Sequence, residues 1–357
     1  MRLLRSAPGS TRLIAMLHVP SNNALTNTVY NDGFGVSSYG PKDLATLEHI
    51  RQSLRILDKK VQEKTGVDIL GDCRTASFVL FSQDVKSLMK RLAEIPFVRE
   101  LEGRALRETE IFVRNGIDIV EIENVGAPYF MGNQVPLEDL LILHHICQRV
   151  REQFPELNIG LHVLSSDDIE SLPIAIECDA SFIRSESSMF YGLRPEGPTI
   201  NRGGLAKFFY FRNLLNAYKG ISDPAQRRFP AIWTDLQKKH TVFNSEIQDL
   251  KTWLDNLMFV KIEGTIVSGL ETGSDVSEAD LLRTREAIEL VKKNTAAFFE
   301  NTVDFDLPLI TGSGMNIELY KKYADFVIVG TQLKKAKYWE NPVDEENVKQ
   351  LLARFYG

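Results

Sequence analysis

Side chains that can exchange protons or hold charge stand at the ends of short apolar runs throughout the chain. Carboxylates and imidazoles at such places serve as general acids or bases, and cations there stabilise developing negative charge. The candidate catalytic residues are Glu123, Asp235, Arg184, His162, His18, Lys239 and His240. Their types predict acid–base chemistry on an anionic substrate.

Structural roles compete with the catalytic ones at several of these positions. Arg184 beside a carboxylate such as Glu123 or Asp235 also fits a buried ion pair. A lone histidine in a strand, such as His162, also fits a hydrogen-bonded core residue. Glu121 shares a strand face with Glu123, so this pair predicts a nearby cation, which is either Arg184 or a metal.

No cofactor or metal is predicted, because no compact ligand motif is present. A divalent metal is the weaker alternative, and its oxygen and nitrogen ligands would come from the same strand ends. The ligands available to it are His18, Glu123, His162, Asp235 and His240. The neighbouring His144 and His145 are predicted to be surface or packing residues of a helix.

Two glycine-containing turns near the end of the chain predict an anion site. Each follows a short apolar run and precedes a helical pattern, so bare backbone amides and a helix N-terminus can approach an anion. The candidate phosphate-binding residues are Gly312, Ser313, Gly314, Gly330 and Thr331, with Ser268 and Gly269 as further candidates. The alternative is that these glycines only allow tight turns between a strand and a helix.

Eight apolar runs of strand length alternate with helical patterns, which favours parallel strands covered by helices. The eight runs cover 13–18, 117–123, 158–164, 181–186, 231–235, 265–268, 307–310 and 326–329. Eight such units predict a (β/α)8 TIM barrel, a fold whose active site lies at the strand C-termini and whose last two loops often bind phosphate.

The segment between the first two strands is longer than one helix requires. Residues 42–64 and 83–95 have helical patterns, and 99–114 is predicted to be the first barrel helix. We therefore expect one domain over 1–357, with a mostly helical insertion at 24–98 that acts as a lid, a dimerisation element or a partner-binding arm.

Composition excludes several classes of function. The net charge of −6 argues against a nucleic-acid partner, and no apolar run reaches the ~18 residues of a membrane span. Three scattered cysteines predict a reducing compartment. Arg2, Arg5 and Arg12 precede the first acidic residue, Asp32, so a mitochondrial or other organelle matrix is the alternative to the cytoplasm.

A resemblance to a known family lies in several short motifs. They occupy 16–20 (MLHVP), 116–130, 160–164, 180–184, 234–240 (TDLQKKH), 267–269, 272–273, 312–314, 329–331 and 341–344. Together these motifs resemble the BtpA family, named for a cyanobacterial protein linked to photosystem I accumulation. The resemblance implies a phosphate-binding barrel of uncharacterised reaction, or a biogenesis factor. The family's polar strand ends correspond to His18, Glu123, Asn124, Asp167, Arg184, Asp235, Lys239 and His240.

The chain also departs from the family pattern at its polar positions. His162 and Glu186 stand where the family has asparagines, and Gln237 replaces a histidine. Ser165-Ser166 replaces an Arg-Asn pair, and Pro195-Glu196 replaces an Asp-Gln pair. These departures imply an altered substrate or a loss of catalysis.

The sequence therefore predicts an enzyme of lyase or isomerase type that acts on a small phosphorylated metabolite. The alternative is a non-catalytic biogenesis or assembly factor that binds a protein partner through 24–98. In both cases the sequence leaves open whether the protein forms a homo-oligomer. No GxGxxG follows a strand, which argues against a Rossmann-type dehydrogenase.

Overall fold

Eight parallel strands close into one barrel, in the order β1-β11-β10-β9-β7-β4-β3-β2. The barrel strands are β1 (Arg12–Pro20), β2 (Ile119–Val125), β3 (Asn158–His162), β4 (Phe182–Ser185), β7 (Ala231–Gln237), β9 (Gly264–Ser268), β10 (Leu309–Gly312) and β11 (Phe326–Val329). All eight predicted strands are present. The predicted (β/α)8 barrel is therefore confirmed.

Eleven helices lie among the described residues. They are α1 (Pro41–Thr65), α2 (Ala76–Leu80), α3 (Ser82–Leu92), α4 (Pro96–Arg114), α5 (Leu137–Gln153), α6 (Asp168–Glu177), α7 (Gly204–Tyr218), α8 (Leu250–Phe259), α9 (Glu278–Phe298), α10 (Ile317–Tyr323) and α11 (Glu345–Tyr356). Within these ranges, none of the helices is long and apolar enough to cross a membrane.

The computed structural model describes most of the chain. The described residues are 11–20, 41–65, 73, 75–125, 135–164, 168–186, 192–194, 197–198, 204–218, 230–237, 242–243, 250–260, 262–269, 275–298, 307–312 and 316–357. A small antiparallel sheet that the sequence analysis did not predict is formed by β5 (Gly192–Arg194), β6 (Gly197–Pro198) and β8 (Val242–Phe243). Its strands have two or three residues each, too few for an alternating pattern to be visible.

Two aromatic rings fill the barrel interior below the mouth. Phe182 and Trp233 stack with their ring centroids 3.9 Å apart. Facing them are two glycines, Gly160 and Gly264, at which an added Cβ would lie 2.0 Å from Phe182 and 2.3 Å from Trp233. The interior is close-packed, so the missing side chains make room for the rings. These rings form an apolar floor beneath the polar residues of the mouth.

The helices between β1 and β2 add a layer outside the barrel. The apolar stripe of α1 (Leu47, Ile50, Leu54, Leu57 and Val61) is buried in the main core. Phe78 of α2 stacks on His144 of α5, at 4.9 Å between ring centroids. Thr75 donates through its backbone amide and its hydroxyl to Glu170 of α6, both at 2.8 Å. Because α5 and α6 pack against both the barrel and this layer, they are buried on nearly every face.

Two local predictions are decided by this packing. His144 and His145 are buried packing residues, and His145 Nε2 lies 2.9 Å from Glu102 Oε2. The helix expected from Gln332 is only the single 3₁₀ turn Thr331–Leu333, because Lys334 is extended and forms an isolated bridge with Val343.

Candidate functional site

The parallel register brings four of the predicted residues side by side. His18 is level with Glu123, Glu123 with His162, and His162 with Arg184. Alternate residues of a strand point to the same face, so all four side chains share the face that Met16 and Phe182 occupy inside the barrel. They form a continuous row across β1 to β4 at the strand C-termini, where this fold carries its active sites.

Arg184 is bound to carboxylates on both sides. Its Nε and Nη2 donate to the two oxygens of Asp235, at 2.9 and 3.0 Å, and Nη1 donates to Glu121 at 3.5 Å. Burial lowers the pKa of Arg184, but the nearby Asp235, Glu121 and Glu123 outweigh it and raise the pKa overall. Such bidentate pairs fix the geometry of both groups. The ion pair that the sequence left open is therefore present, with Asp235 as the partner.

His162 lies between three carboxylates. Its Nδ1 is 3.2 Å from Glu123 Oε1 and 3.4 Å from Glu121 Oε1, and its Nε2 is 3.1 Å from Glu186 Oε1. The ring is 1% exposed, and neither ring nitrogen makes a hydrogen bond to any described residue. The imidazole is thus buried among carboxylates at close distances.

Negative charge dominates this part of the mouth. Glu121, Glu123, Glu186 and Asp235 supply four carboxylates against the one guanidinium of Arg184. The predicted cations Lys239 and His240 lie outside the described residues. The Oε2 atom of Glu121 is buried with no hydrogen-bond partner.

The described donor atoms at this end of the barrel are largely engaged with one another. Over the described ranges, no three His, Cys, Asp or Glu side chains are placed to hold an ion together. Both oxygens of Asp235 accept from Arg184, and one oxygen of Glu123 faces His162. Arg184 Nη1, 3.5 Å from Glu121 Oε1, is the cation that the structure places beside the Glu121–Glu123 pair.

His18 closes the row on the side of the glycine turns. Its Nδ1 lies 3.2 Å from the carbonyl oxygen of Trp339, and its Nε2 lies 3.9 Å from Glu123 Oε2. Burial and the positive charge of Lys334 lower the pKa of His18 to about 4, against the opposing effect of Glu123. The imidazole is thus neutral at neutral pH. Because a carbonyl only accepts, Nδ1 carries the proton and Nε2 is left as an acceptor.

The rest of the mouth carries small residues. Ser268 at the end of β9 is level with Gly312 at the end of β10, and Gly312 is level with Ile328 of β11. An added Cβ at Gly330 would lie 3.3 Å from Met16 Sδ and 3.5 Å from His18 Nε2. Gly330 therefore borders His18 directly. The strand ends beside the ionisable row thus carry one serine, Ser268, and the two glycines.

Two of the other residues predicted to bind phosphate lie near these glycines. Gly269 is buried after β9, Thr331 is partly exposed after β11, and Ser313 and Gly314 lie outside the described residues. The helix after the first turn, α10, is capped by its own chain, since Asn316 accepts from the backbone amide of Leu319.

A buried group behind His18 was missed by the sequence analysis. Glu108 of α4 accepts from Lys334 at 2.9 Å and from Arg104 at 2.9 Å. Burial raises the pKa of Glu108, but Lys334 and Arg104 outweigh it and hold the pKa below its ordinary value. The signal available in the sequence was the Arg104–Glu108 pair, spaced i,i+4 on the apolar face of a helix.

Known proteins resemble this chain mainly over the barrel. The sequence model of the BtpA family matches residues 98–356, a span that begins in α4 and leaves β1 and α1 to α3 outside. An uncharacterised protein of Archaeoglobus fulgidus is 24% identical over 71% of this chain and 89% of its own length. Another, from Methanocaldococcus jannaschii, is 25% identical over 70% of this chain and 83% of its own length.

Solved structures with some similarity include a KGPDC from Streptococcus mutans, with a TM-score of 0.42 and 12% identity over 73% of this chain and 94% of that one. A phosphoribosyl anthranilate isomerase from Thermus thermophilus has a TM-score of 0.41 and 10% identity, over 70% of this chain and 94% of that one.

Proposed function

The chain belongs to the BtpA family, and we propose that it is an enzyme that transforms a small phosphorylated metabolite by acid–base chemistry of the lyase or isomerase type. The observation that carries this proposal is the division of one barrel mouth into an ionisable row and an adjoining surface of small residues. His18 and Gly330 meet at the boundary, 3.5 Å apart as measured from His18 Nε2 to an ideal Cβ on Gly330. A substrate could thus bind by its phosphate and react at a neighbouring carbon.

In this proposal the phosphate binds at the ends of the last three barrel strands. Gly312 and Gly330 have no side chain to keep an anion away from backbone amides, and the fold commonly binds phosphate at these loops. Ser268, level with Gly312, offers a hydroxyl. The remaining members of the site are Gly269, Ser313, Gly314 and Thr331.

Glu123 is the preferred acid–base residue in the ionisable row. Both oxygens of Asp235 are occupied by Arg184, and Asp235 is fully buried. The side chain of Glu123 is 10% exposed and lies at the boundary, with Oε2 directed toward His18. Arg184 supplies fixed positive charge behind it, which favours a developing enolate or alkoxide. Lys239 and His240 are the further cations proposed for this step.

The alternative role as a protein scaffold would use the segment between β1 and β2. The apolar stripe of α1 is buried in the chain's own core. A partner would therefore contact the outward face of that helix. Leu44 and Ile56 are the exposed large apolar residues there, at 41% and 58%. Replacing both by Gln would abolish capture of a protein partner under the scaffold hypothesis. The enzyme hypothesis expects no effect on ligand binding.

Native mass spectrometry of gently purified protein tests the proposed function. We expect a bound species whose fragmentation releases phosphate, and we expect it to be lost in Gly312→Ala. A matched control is Gly103→Ala, where the new Cβ meets only the flexible end of Arg107, 3.1 Å away. The proposal fails if wild-type protein carries no phosphorylated species and inorganic phosphate gives no heat of binding in calorimetry.

A further inference from the structure

The C-terminal segment passes next to His18 and is anchored to α4 by hydrogen bonds. Arg104 donates through Nη2 to the carbonyl oxygens of Glu340 and Asn341, at 3.1 and 3.0 Å. These carbonyls directly follow that of Trp339, which lies 3.2 Å from His18 Nδ1. The position of the carbonyl that faces His18 is therefore tied to a helix outside the barrel.

Glu108 anchors the same segment at two more points. Its Oε1 accepts from the backbone amide of Val343 at 3.1 Å, and its Oε2 accepts from Lys334 Nζ at 2.9 Å. Lys334 is fully buried and Glu108 is 3% exposed. The loop between them is closed by Lys335, whose amide donates to the carbonyl of Pro342 at 2.9 Å. Arg104, Glu108 and Lys334 thus fix both ends of the segment 334–343.

We propose that Arg104, Glu108 and Lys334 form a positioning unit that sets the tautomer of His18, so that Nε2 accepts a hydrogen bond from a hydroxyl group of the ligand. The ligand part of this inference rests on the proposed function. The tautomer part rests on the contacts alone. Arg104, Glu108 and Lys334 act through the Trp339 carbonyl, whereas His18 itself meets the ligand.

The chemistry of the boundary favours a hydroxyl donor. The Nε2 atom of His18 is an acceptor once Nδ1 is protonated, and Glu123 Oε2, 3.9 Å away, is an acceptor as well. Two acceptors at that distance can share one donor placed between them. Gly330 leaves the adjoining space open, since its Cβ would stand 3.5 Å from Nε2. A hydroxyl close to the phosphate of a small ligand meets these conditions.

The charged groups that face His18 come from three elements. Glu123 approaches from β2, Lys334 from the segment after β11, and Glu108 from α4, and of these only Lys334 opposes protonation of the ring. Burial acts in the same direction as Lys334. A loosened segment would admit water and move Lys334 away. Both changes would raise the pKa of His18 and would let either ring nitrogen carry the proton.

Imidazole ¹⁵N NMR spectra of the full-length protein test the positioning unit without any ligand. The chain has six histidines, and His18→Gln assigns the signal of interest. We expect wild-type His18 to be protonated at Nδ1 only, and to titrate near pH 4. In Arg104→Met we expect a mixture of tautomers and titration displaced toward the ordinary value of about 6.5.

A matched control is available at the opposite end of the barrel. Arg285 donates to the carbonyl of Tyr323 and to Asp325, so Arg285→Met also removes an arginine that binds a carbonyl and a carboxylate. This control should lose stability and leave the His18 signal unchanged. If Arg104→Met does not fold, Lys334→Met removes the other cation of the unit and leaves Glu108 paired with Arg104. Unchanged His18 signals in a folded variant of either kind would overturn the proposal.

Ligand probes separate this inference from the proposed function. Calorimetry with glycerol 3-phosphate and n-propyl phosphate compares ligands that differ in hydroxyl groups. We expect wild-type protein to prefer glycerol 3-phosphate by about fivefold, the effect of roughly one hydrogen bond, and the preference to vanish in Arg104→Met. Equal binding of both probes by wild-type protein overturns the hydroxyl site. Failure of both probes and of inorganic phosphate to bind refutes the proposed function, while the NMR result still decides the positioning unit.

Discussion

The two parts of the barrel mouth hold their residues by opposite means. On β1 to β4 and β7, ionisable side chains crowd together, and Arg184 fixes Asp235 by two hydrogen bonds. On β9 to β11, Gly312 and Gly330 carry no side chain, and an added Cβ would contact Ile328 at Gly312, and Met16 and His18 at Gly330. The first part is suited to chemistry because its charged groups are held in place. The second is suited to an anion because no side chain at these two positions shields the backbone.

This difference predicts how the two parts respond to mutation. Removing one member of a buried ion-pair network leaves an uncompensated charge, so substitutions in the ionisable row should cost stability. Small changes among the residues at the ends of β9 to β11 should cost binding instead.

Arg184→Met should destabilise the protein by about 3–5 kcal/mol, because Asp235 and Glu121 would lose the guanidinium that they share. Urea denaturation measures this loss as a fall in the free energy of unfolding. Arg184→Met combined with Asp235→Leu should recover a large part of it, since the pair is then replaced by apolar groups. A loss below about 1 kcal/mol in the single variant would show that the row does not depend on its charge pairs.

His18→Gln should change the pH dependence of stability. The folded protein holds the pKa of His18 near 4, below the ordinary 6.5, so between these values the unfolded state binds more protons. Wild-type stability should therefore decline as pH falls from 6.5 to 4, by on the order of 3 kcal/mol from this residue. The variant should lack that part of the decline. Parallel wild-type and variant curves would contradict the buried neutral state of His18.

Gly312→Ala should separate binding from stability. The new Cβ would lie 3.4 Å from Ile328 Cβ, an ordinary contact, so the free energy of unfolding should change by less than about 1 kcal/mol. Affinity for inorganic phosphate should fall by about tenfold or more, because at least one bond from an amide to a charged oxygen is lost. Gly103→Ala should leave that affinity as it is. Equal affinity in all three proteins would show that Gly312 does not face the anion.

Ser268→Ala should have the smallest effect. The side chain is partly exposed at the end of β9, level with Gly312. Stability should stay within about 0.5 kcal/mol of wild type, and phosphate affinity should fall a few-fold. Calorimetry on this variant and on Gly312→Ala would rank the two contacts. A larger loss for Ser268→Ala would place the anion closer to β9 than to β10.

The sequence predicted the barrel because alternating strands and helices produce a repeated local pattern. It also predicted the Arg184 ion pair in outline, since residues at adjacent strand ends must meet. It did not show that Asp235 would accept from two of the donors of that arginine, because no local pattern distinguishes the carboxylates of β2 and β7 from Glu186, which follows β4. A register shift between Asp235 and Gln237 is a further feature of this strand end that no local pattern indicates.

Other features depend on contacts between distant parts of the chain. His162 was predicted as a catalytic candidate, yet whether it faces a ligand or other side chains depends on two carboxylates of β2 and on Glu186, which follows β4. No side chain in the sequence indicates that the backbone carbonyl of Trp339 would face His18. Gly160 and Gly264 look like breaks in strands until Phe182 and Trp233 are placed against them. Packing of this kind is set by the whole interior, and no local pattern reports it.

A crystal structure of the protein soaked with inorganic phosphate tests the division of the mouth most directly. We expect one phosphate at the backbone of Gly312 and Gly330, next to His18, with Arg184 still paired to Asp235 and Glu121. A phosphate bound to Arg184, with Asp235 displaced, would contradict this expectation. So would a mouth that holds no phosphate at concentrations at which calorimetry detects binding.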